Sequence, residues 1–331
     1  MSISILRSGV LDTIQDIGRN GFGNMGINVG GPMDLFAMKV ANMLVANATD
    51  SPVLEMHFPA AQILFEQNAL ISITGGEFGA TLNGEPVPSW KPLVVKRKSV
   101  LIFARRERGA RCYLAVHGGF CVQKWLNSAS TNLRAKAGGW HGRKLEKGDE
   151  VSFGETHFYY PLLLREKSVA ELPWSVDYKS VYDLPHEVAC IPGKEYHLLT
   201  EESRQKLLQS NFMIHPSSDR MGYNLRGPEI NVKENFQLVS SAVSFGTIQL
   251  LPNNQLIVLM ADHQTTGGYP RIGHVISAHL PKLAQLAASD CLKLNLIDVV
   301  SAEQLLLSQE NELQIIQDGC SERIKNAICA A

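Results

Sequence analysis

Cysteine is scarce. The six present (Cys112, Cys121, Cys190, Cys291, Cys320 and Cys329) contain no C-x-x-C pair, so a disulfide framework or a thiolate metal site is not expected. An excess of either charge is also missing: 31 Lys and Arg against 32 Asp and Glu leave a formal net charge of −1. Nothing in that balance calls for a nucleic acid or an anionic membrane as partner. The one local exception is Lys96-Arg97-Lys98 with Arg105, Arg106, Arg108 and Arg111, which reads as a solvated face. No apolar run approaches the length of a membrane span, and Met1 to Arg7 lacks the long apolar core of a secretion signal. A cytoplasmic protein is therefore expected. Hydrophobic residues make up 45% and charged residues 19% of the 331, a globular composition with enough length for two cores.

The most distinctive stretch present is Asp262-His263-Gln264-Thr265-Thr266-Gly267-Gly268-Tyr269-Pro270. It follows an apolar run from Leu256 to Met260 that reads as a buried strand between turn signals. A strand that ends in Asp, His, Gln and two Thr on a Gly-Gly loop is a natural place for binding groups. The same letters also describe a polar hairpin loop with ordinary turn chemistry.

In chain order, Ser2 to Leu6 alternates as a first strand. Gly21 to Gly26 matches G-x-G-x-x-G letter by letter, yet polar residues precede it and the next helix waits until after Gly30-Gly31-Pro32, so a dinucleotide site is rejected. Pro32 suits the first turn of a helix running to about Asn47. From Val53 to Phe153 short β-rich runs follow closely, with Asn83-Gly84 as a hairpin signal. Gly138-Gly139 with Gly142-Arg143, after Ser130-Thr131, is either an anion cradle or a plain turn-rich loop. Residues 155–185 read as a connector. In the second half Thr200 caps a helix, Ser217 to Tyr223 places Asp219 and Arg220 at a strand start, Pro281 opens a short helix, and Ser301 with Gln304 makes a capping box for a C-terminal helix. The expected class is mainly β, as two β-rich domains of barrel or sandwich type with a few peripheral helices. The N-terminal domain with one helix spans 1–160, and a barrel domain with the C-terminal helix spans 186–331.

Several strings occur in a fixed order: Gln15 to Arg19, Ala41-Asn42 with Asn47, Tyr113 to Ala115 with Gly118-Gly119, Gly138 to Arg143, Gly148-Asp149, Pro192 to His197, Asp219 to Gly222, Gly246 to Gln249, and Asp262 to Pro270. Together they resemble the carboxyltransferase-like family that includes the C-type 5-oxoprolinase subunit, KipA and the second subunit type of allophanate hydrolase and urea carboxylase systems. The resemblance spans roughly residues 5 to 295. It implies tandem β-rich domains with a cyclophilin-like barrel, and a subunit that is inactive alone. It also implies an ATP-dependent opening of 5-oxo-L-proline to L-glutamate, with magnesium accompanying the nucleotide. The implied partners are the B-type and A-type 5-oxoprolinase subunits, the former KipI-like and the latter of the lactam-utilisation type, both separate chains. Two alternatives come with the same family: part of a biotin-dependent carboxyltransferase, and a KipA-like regulatory module that sequesters its KipI-like partner.

A lactam is a poor electrophile, so coupling to ATP makes sense as phosphorylation of the amide oxygen, which needs charge stabilisation and a positioned water or base. Asp262 and His263 are candidates for acid–base work, and Asp262, Asp219 and Arg220 form the catalytic set. Gln264, Thr265, Thr266, Gly267, Gly268, Tyr269 and Gln249 are the substrate set. Arg19, Asp16, Ser130, Thr131, Gly138, Gly139 and Arg143 are the nucleotide set, because a guanidinium fork binds phosphate or carboxylate in two-pronged fashion. Asp16 and Asp219 are equally suited to turns or ion pairs that hold barrel ends. The chain departs from the family pattern at Lys194, where Pro is expected, at Asn132, where Asp is expected, and at His279, where an acid is expected. The segment Ser240 to Ser244 also lacks an expected Glu or His.

Overall fold

The computed structural model describes residues 1–154, 164, 167–183, 186–234 and 238–329, with side chains to residue 326. The chain divides into two compact units. One comprises Met1–Gly18, Asp34–Tyr178 and Asn311–Ala331, the other Arg19–Met33 and Lys179–Glu310.

The first unit holds two six-stranded antiparallel sheets. One runs Glu150–Ser152, Ser2–Arg7, Gln62–Phe65, Val100–Phe103, Ala80–Leu82, Glu85–Pro86; the other runs Val169–Glu171, Pro92–Val95, Ala69–Glu77, Arg108–Val116, Val53–Met56, Thr13–Gln15. The period-two pattern of a strand decides what each face meets. Ile71 and Ile73 enter the apolar core with Ile3, Ile5, Ile63, Phe65, Leu114 and Val116. Between them Ser72 and Thr74 turn the other way, and their hydroxyls donate to the Ala41 and Ala37 carbonyls of the helix Leu35–Leu44. That helix is capped by Asp34, whose Oδ1 accepts from the Ala37 N–H; Pro32 lies outside it, because Asp34 supplies the side-chain acceptor that proline lacks. Asn83 (φ 52°) and Gly84 (φ 90°) make the expected hairpin between Ala80–Leu82 and Glu85–Pro86. Of the connector expected over 155–185, residues 155–163, 165–166 and 184–185 lie outside the described residues. Within the rest, Val169–Glu171 is a strand paired with Pro92–Val95.

The second unit is a closed seven-stranded barrel in the order Glu187–Pro192, Arg271–Val275, Thr247–Leu250, Leu256–Leu259, Gly222–Arg226, Asn211–Ile214, Cys291–Leu296. Its first and last strands close the ring in parallel. Val188, Ile214, Leu225, Ile248, Val258, Ile272 and Leu294 fill it. The mainly β architecture is thus as expected, with the barrel in the C-terminal half. Gly23–Met25 makes a single 3-10 turn ended by Gly26 in the left-handed conformation (φ 76°), and the next helix starts only at Leu35. Thr200 caps the helix Glu201–Gln209 by accepting from the Ser203 N–H. The C-terminal helix, Val299–Cys329, begins earlier than the Ser301–Gln304 box. Asp298 is its cap, because its two carboxylate oxygens accept from the N–H and the hydroxyl of Ser301. Among the described residues no helix is long and apolar enough to cross a membrane.

Candidate functional site

The strands Gly222–Arg226 and Leu256–Leu259 pair antiparallel, with Gly222 opposite Leu259. The pairing runs on beyond both strands: the Met260 N–H donates to the Met221 carbonyl, and the Asp262 N–H to the Arg220 carbonyl. Register alone therefore sets Arg220 beside Asp262. The guanidinium closes on the carboxylate in two-pronged form, Nε to Oδ2 at 2.8 Å and Nη2 to Oδ1 at 3.1 Å, and Nη2 also donates to the Gly31 carbonyl at 2.6 Å. The Arg220 side chain is 5% exposed and that of Asp262 19%, so the carboxylate is the member that reaches solvent. Gly30 lies against this pair. A Cβ there would stand 3.0 Å from Nη1 of Arg19 and 3.8 Å from Oδ1 of Asp262, and its φ of 67° also favours glycine. Gly30 and Gly31 are not among the expected site residues, since nothing in the sequence ties a Gly pair before a helix to an arginine about 190 positions later.

Past Asp262 the chain turns into a small hairpin. Thr266–Gly267 pairs with Ser241–Ala242, and the Val243 N–H donates to the Thr265 carbonyl. Gln264, Thr266 and Tyr269 face solvent, Thr265, Gly267 and Gly268 are half-buried, and Gln249 lies wholly buried in the strand Thr247–Leu250. His263 turns inward, and its Nδ1 donates to the Gln264 carbonyl, because a carbonyl can only accept. Burial holds the His263 imidazole below its ordinary pKa. His274 is lowered too, by burial and by His263 nearby.

Asp219 is placed differently. Its Oδ1 accepts from the N–H groups of Met221 and Gly222, which makes it the turn that starts a barrel strand. The segment Ser240 to Ser244, without the expected acid or histidine, supplies the hairpin's partner strand. His279 serves the barrel itself. Its Nδ1 accepts from the Ala189 N–H at 2.9 Å, and burial with Lys282 nearby pushes its pKa down to about 4. An acid could take the same bond, which rationalises the exchange.

The remaining expected residues other than Arg19 belong to the first unit. The Asp16 carboxylate accepts from the hydroxyls of Ser128 (2.6 Å) and Ser130 (2.7 Å) and from the N–H groups of Gly18 and Ala129. The Thr131 hydroxyl donates to the Ile14 carbonyl, and a Cβ on Gly139 would fall 2.0 Å from that hydroxyl oxygen. Arg143 is held by Asp149 through two bonds of 2.7 Å, which draw the Asp149 carboxyl down to about 2. The Gly142 and Arg143 N–H groups donate within their own loop. A polyphosphate needs uncommitted N–H donors and no buried carboxylate among them. Asp16, Ser130, Thr131 and Arg143 are committed to the protein's own hydrogen bonds, as are the Gly142 and Arg143 N–H groups. Asn132, at the end of this stretch, accepts from the Ala135 N–H in a turn. A cavity of about 480 Å³ in the same unit, lined by Glu77, Thr81, Val87, Arg105, Glu107 and Tyr178 among others, shares no residue with the barrel site.

A family model described as the carboxyltransferase domain, subdomain A and B, matches residues 25–296. Among curated proteins, the chain is 34% identical to the C subunit of a 5-oxoprolinase from Haemophilus influenzae, over 92% of this chain and 94% of that protein. It is also 34% identical to the corresponding 5-oxoprolinase C subunit of Escherichia coli, over 86% and 87%. Among solved structures it is similar to the K. lactis urea amidolyase, with a TM-score of 0.86 and 25% identity; the match covers 95% of this chain and 20% of that much longer one.

Proposed function

The chain belongs to the carboxyltransferase family whose model covers its subdomains A and B, and from that premise we propose that it is the C-type subunit of a cytoplasmic 5-oxoprolinase complex. The two full-length bacterial relatives that carry that name support the reading. The observation that carries it here is the Asp262–Arg220 pair, whose carboxylate reaches solvent beside a hairpin that presents Gln264, Thr266 and Tyr269. The reaction adds water to the lactam carbonyl carbon, breaks the ring C–N bond and protonates the nitrogen, which converts 5-oxo-L-proline to L-glutamate. In this reading Asp262 takes the proton of the attacking water and Arg220 fixes the carboxylate that does so. The hairpin hydroxyls and amide bind the substrate's own carboxylate. At the level of the complex, ATP with its magnesium is split to ADP and phosphate, its phosphoryl passing through the amide oxygen to activate a poor electrophile, and the partners are the KipI-like B-type and the lactam-utilisation A-type subunits. The chain is inactive by itself.

The test is to co-express the three subunits and follow glutamate formed from 5-oxo-L-proline and ATP, with each subunit omitted in turn. Glutamate should appear only when this chain is present. No glutamate from the assembled complex would remove the reading. A second reading is favoured by the likeness to urea amidolyase: carboxyl transfer between biotin and a urea-like acceptor. Carboxylation of free biotin or of a biotin carrier protein in the same preparations would support that one instead.

A further inference from the structure

The amide of Gln249 is the unexplained group in the barrel. The residue is wholly buried on the strand Thr247–Leu250, yet among the described residues its Oε1 has no hydrogen-bond partner, and Nε2 reaches the Tyr269 carbonyl at 3.5 Å. A buried acceptor left unmade is destabilising, because its hydration is lost without replacement. The amide lies directly behind the hairpin: a Cβ on Gly267 would stand 2.7 Å from Nε2 and 3.5 Å from Oε1. Glycine at 267 is what lets the hairpin close on this amide. The cover is slight: among the described residues, Thr266–Gly267 pairs with Ser241–Ala242 at two positions, with one further bond at Thr265.

We infer that Gln249 reads the N–H/C=O edge of the substrate's lactam once the hairpin 264–268 lifts. A primary carboxamide offers one N–H donor and one acceptor side by side. An open-chain secondary amide is trans and shows its N–H and C=O on opposite edges. A five-membered lactam is locked cis and shows both on one edge, so it pairs with the carboxamide through two hydrogen bonds: Nε2–H to the lactam oxygen, and lactam N–H to Oε1. Ring opening destroys that edge, and the product lets go. This assignment rests on the lactam reading above and makes Gln249 a specificity-determining residue.

The experiment uses the complex of all three chains and two ligands: 5-oxo-L-proline, and the lactone 5-oxotetrahydrofuran-2-carboxylate, which carries a ring oxygen in place of the N–H. The ratio of the lactone's inhibition constant to the KM of the lactam is measured for wild type, Gln249→Met and Gln249→Glu. Wild type should prefer the lactam by about tenfold to a hundredfold, the fold-change set by one buried acceptor left unpaired. Gln249→Met should bring the ratio close to one. A protonated carboxyl offers the same donor–acceptor pair, whereas a carboxylate keeps an acceptor for the lactam N–H and sets its other oxygen against the ring carbonyl, so Gln249→Glu should keep the preference and raise the KM of the lactam as the pH is raised. An assembled, active Gln249→Met complex with an unchanged ratio would overturn the inference while leaving the lactam reading intact. If that variant fails to assemble, a Gln249→Glu complex whose KM for the lactam rises with pH no more than that of wild type overturns it equally. A wild-type complex that makes no glutamate overturns both.

Discussion

Asp12 makes the stability of the first unit fall as the pH rises. The residue is wholly buried, and its Oδ2 accepts from the N–H groups of Gly9 (3.1 Å) and Ala61 (2.8 Å). Burial outweighs those two bonds and pushes its pKa from the ordinary 3.8 up to about 7. Folding therefore favours the protonated acid. Its contribution is fully present below pH 3.8 and is lost as the pH climbs through about 7. At about 1.4 kcal/mol per pH unit, the whole window amounts to about 4 kcal/mol. Asp12→Asn keeps an acceptor for the Gly9 and Ala61 N–H groups and cannot ionise. Urea unfolding of both proteins at about pH 5 and about pH 8 isolates the effect, because all other titrating groups are shared. The variant should gain on wild type by about 2–3 kcal/mol between the two pH values. A gap that stays constant across that range would refute a raised Asp12.

Three further outcomes follow from the same contacts. His279→Ala removes the acceptor of the Ala189 N–H and should cost about 1–3 kcal/mol. It should also flatten the acid limb of the unfolding curve, because a histidine held down to about 4 gives stability that is lost as the pH falls from 6.5 through 4. Arg143→Ala should lower stability by about 1 kcal/mol, as expected for a part-exposed two-pronged ion pair, and leave glutamate formation by the complex unchanged once the protein is folded. A selective rise in the KM for ATP would instead return that loop to nucleotide binding. Gly267→Ala places a methyl 2.7 Å from the Gln249 amide nitrogen and should cost about 1–3 kcal/mol by overpacking, with a larger loss of activity than of stability. Equal losses in both would argue against a role for the amide.

Much of the barrel side is legible in the sequence because its signals are local. The apolar run Leu256 to Met260 is a strand that delivers Asp262, and Asn83-Gly84 is a hairpin, since both follow from side-chain alternation and turn stereochemistry alone. Helix starts at Pro32 and Ser301 differ from the observed ones by a few residues for one reason: an aspartate just upstream of the first turn, Asp34 or Asp298, takes the N–H groups first. The site is legible only where it is contiguous. Arg220 joins Asp262 through strand register, and Gly30 and Gly31 join them from a segment whose letters advertise only a turn. Asp16, Ser130 and Thr131 show the opposite limit. Hydroxyls and a carboxylate near glycines compose an anion loop or a self-satisfied turn equally well, and only their mutual hydrogen bonds tell the two apart.

The most direct test of the account is the turnover of a complex carrying Asp262→Asn, with assembly checked by co-elution of all three subunits. The substitution keeps the shape beside Arg220 and removes the carboxylate charge and basicity. The account predicts a fall in kcat of about a hundredfold or more, the scale of losing a general base, with the KM for ATP unchanged. An assembled Asp262→Asn complex that turns over like wild type would contradict it and place the chemistry on one of the partner chains.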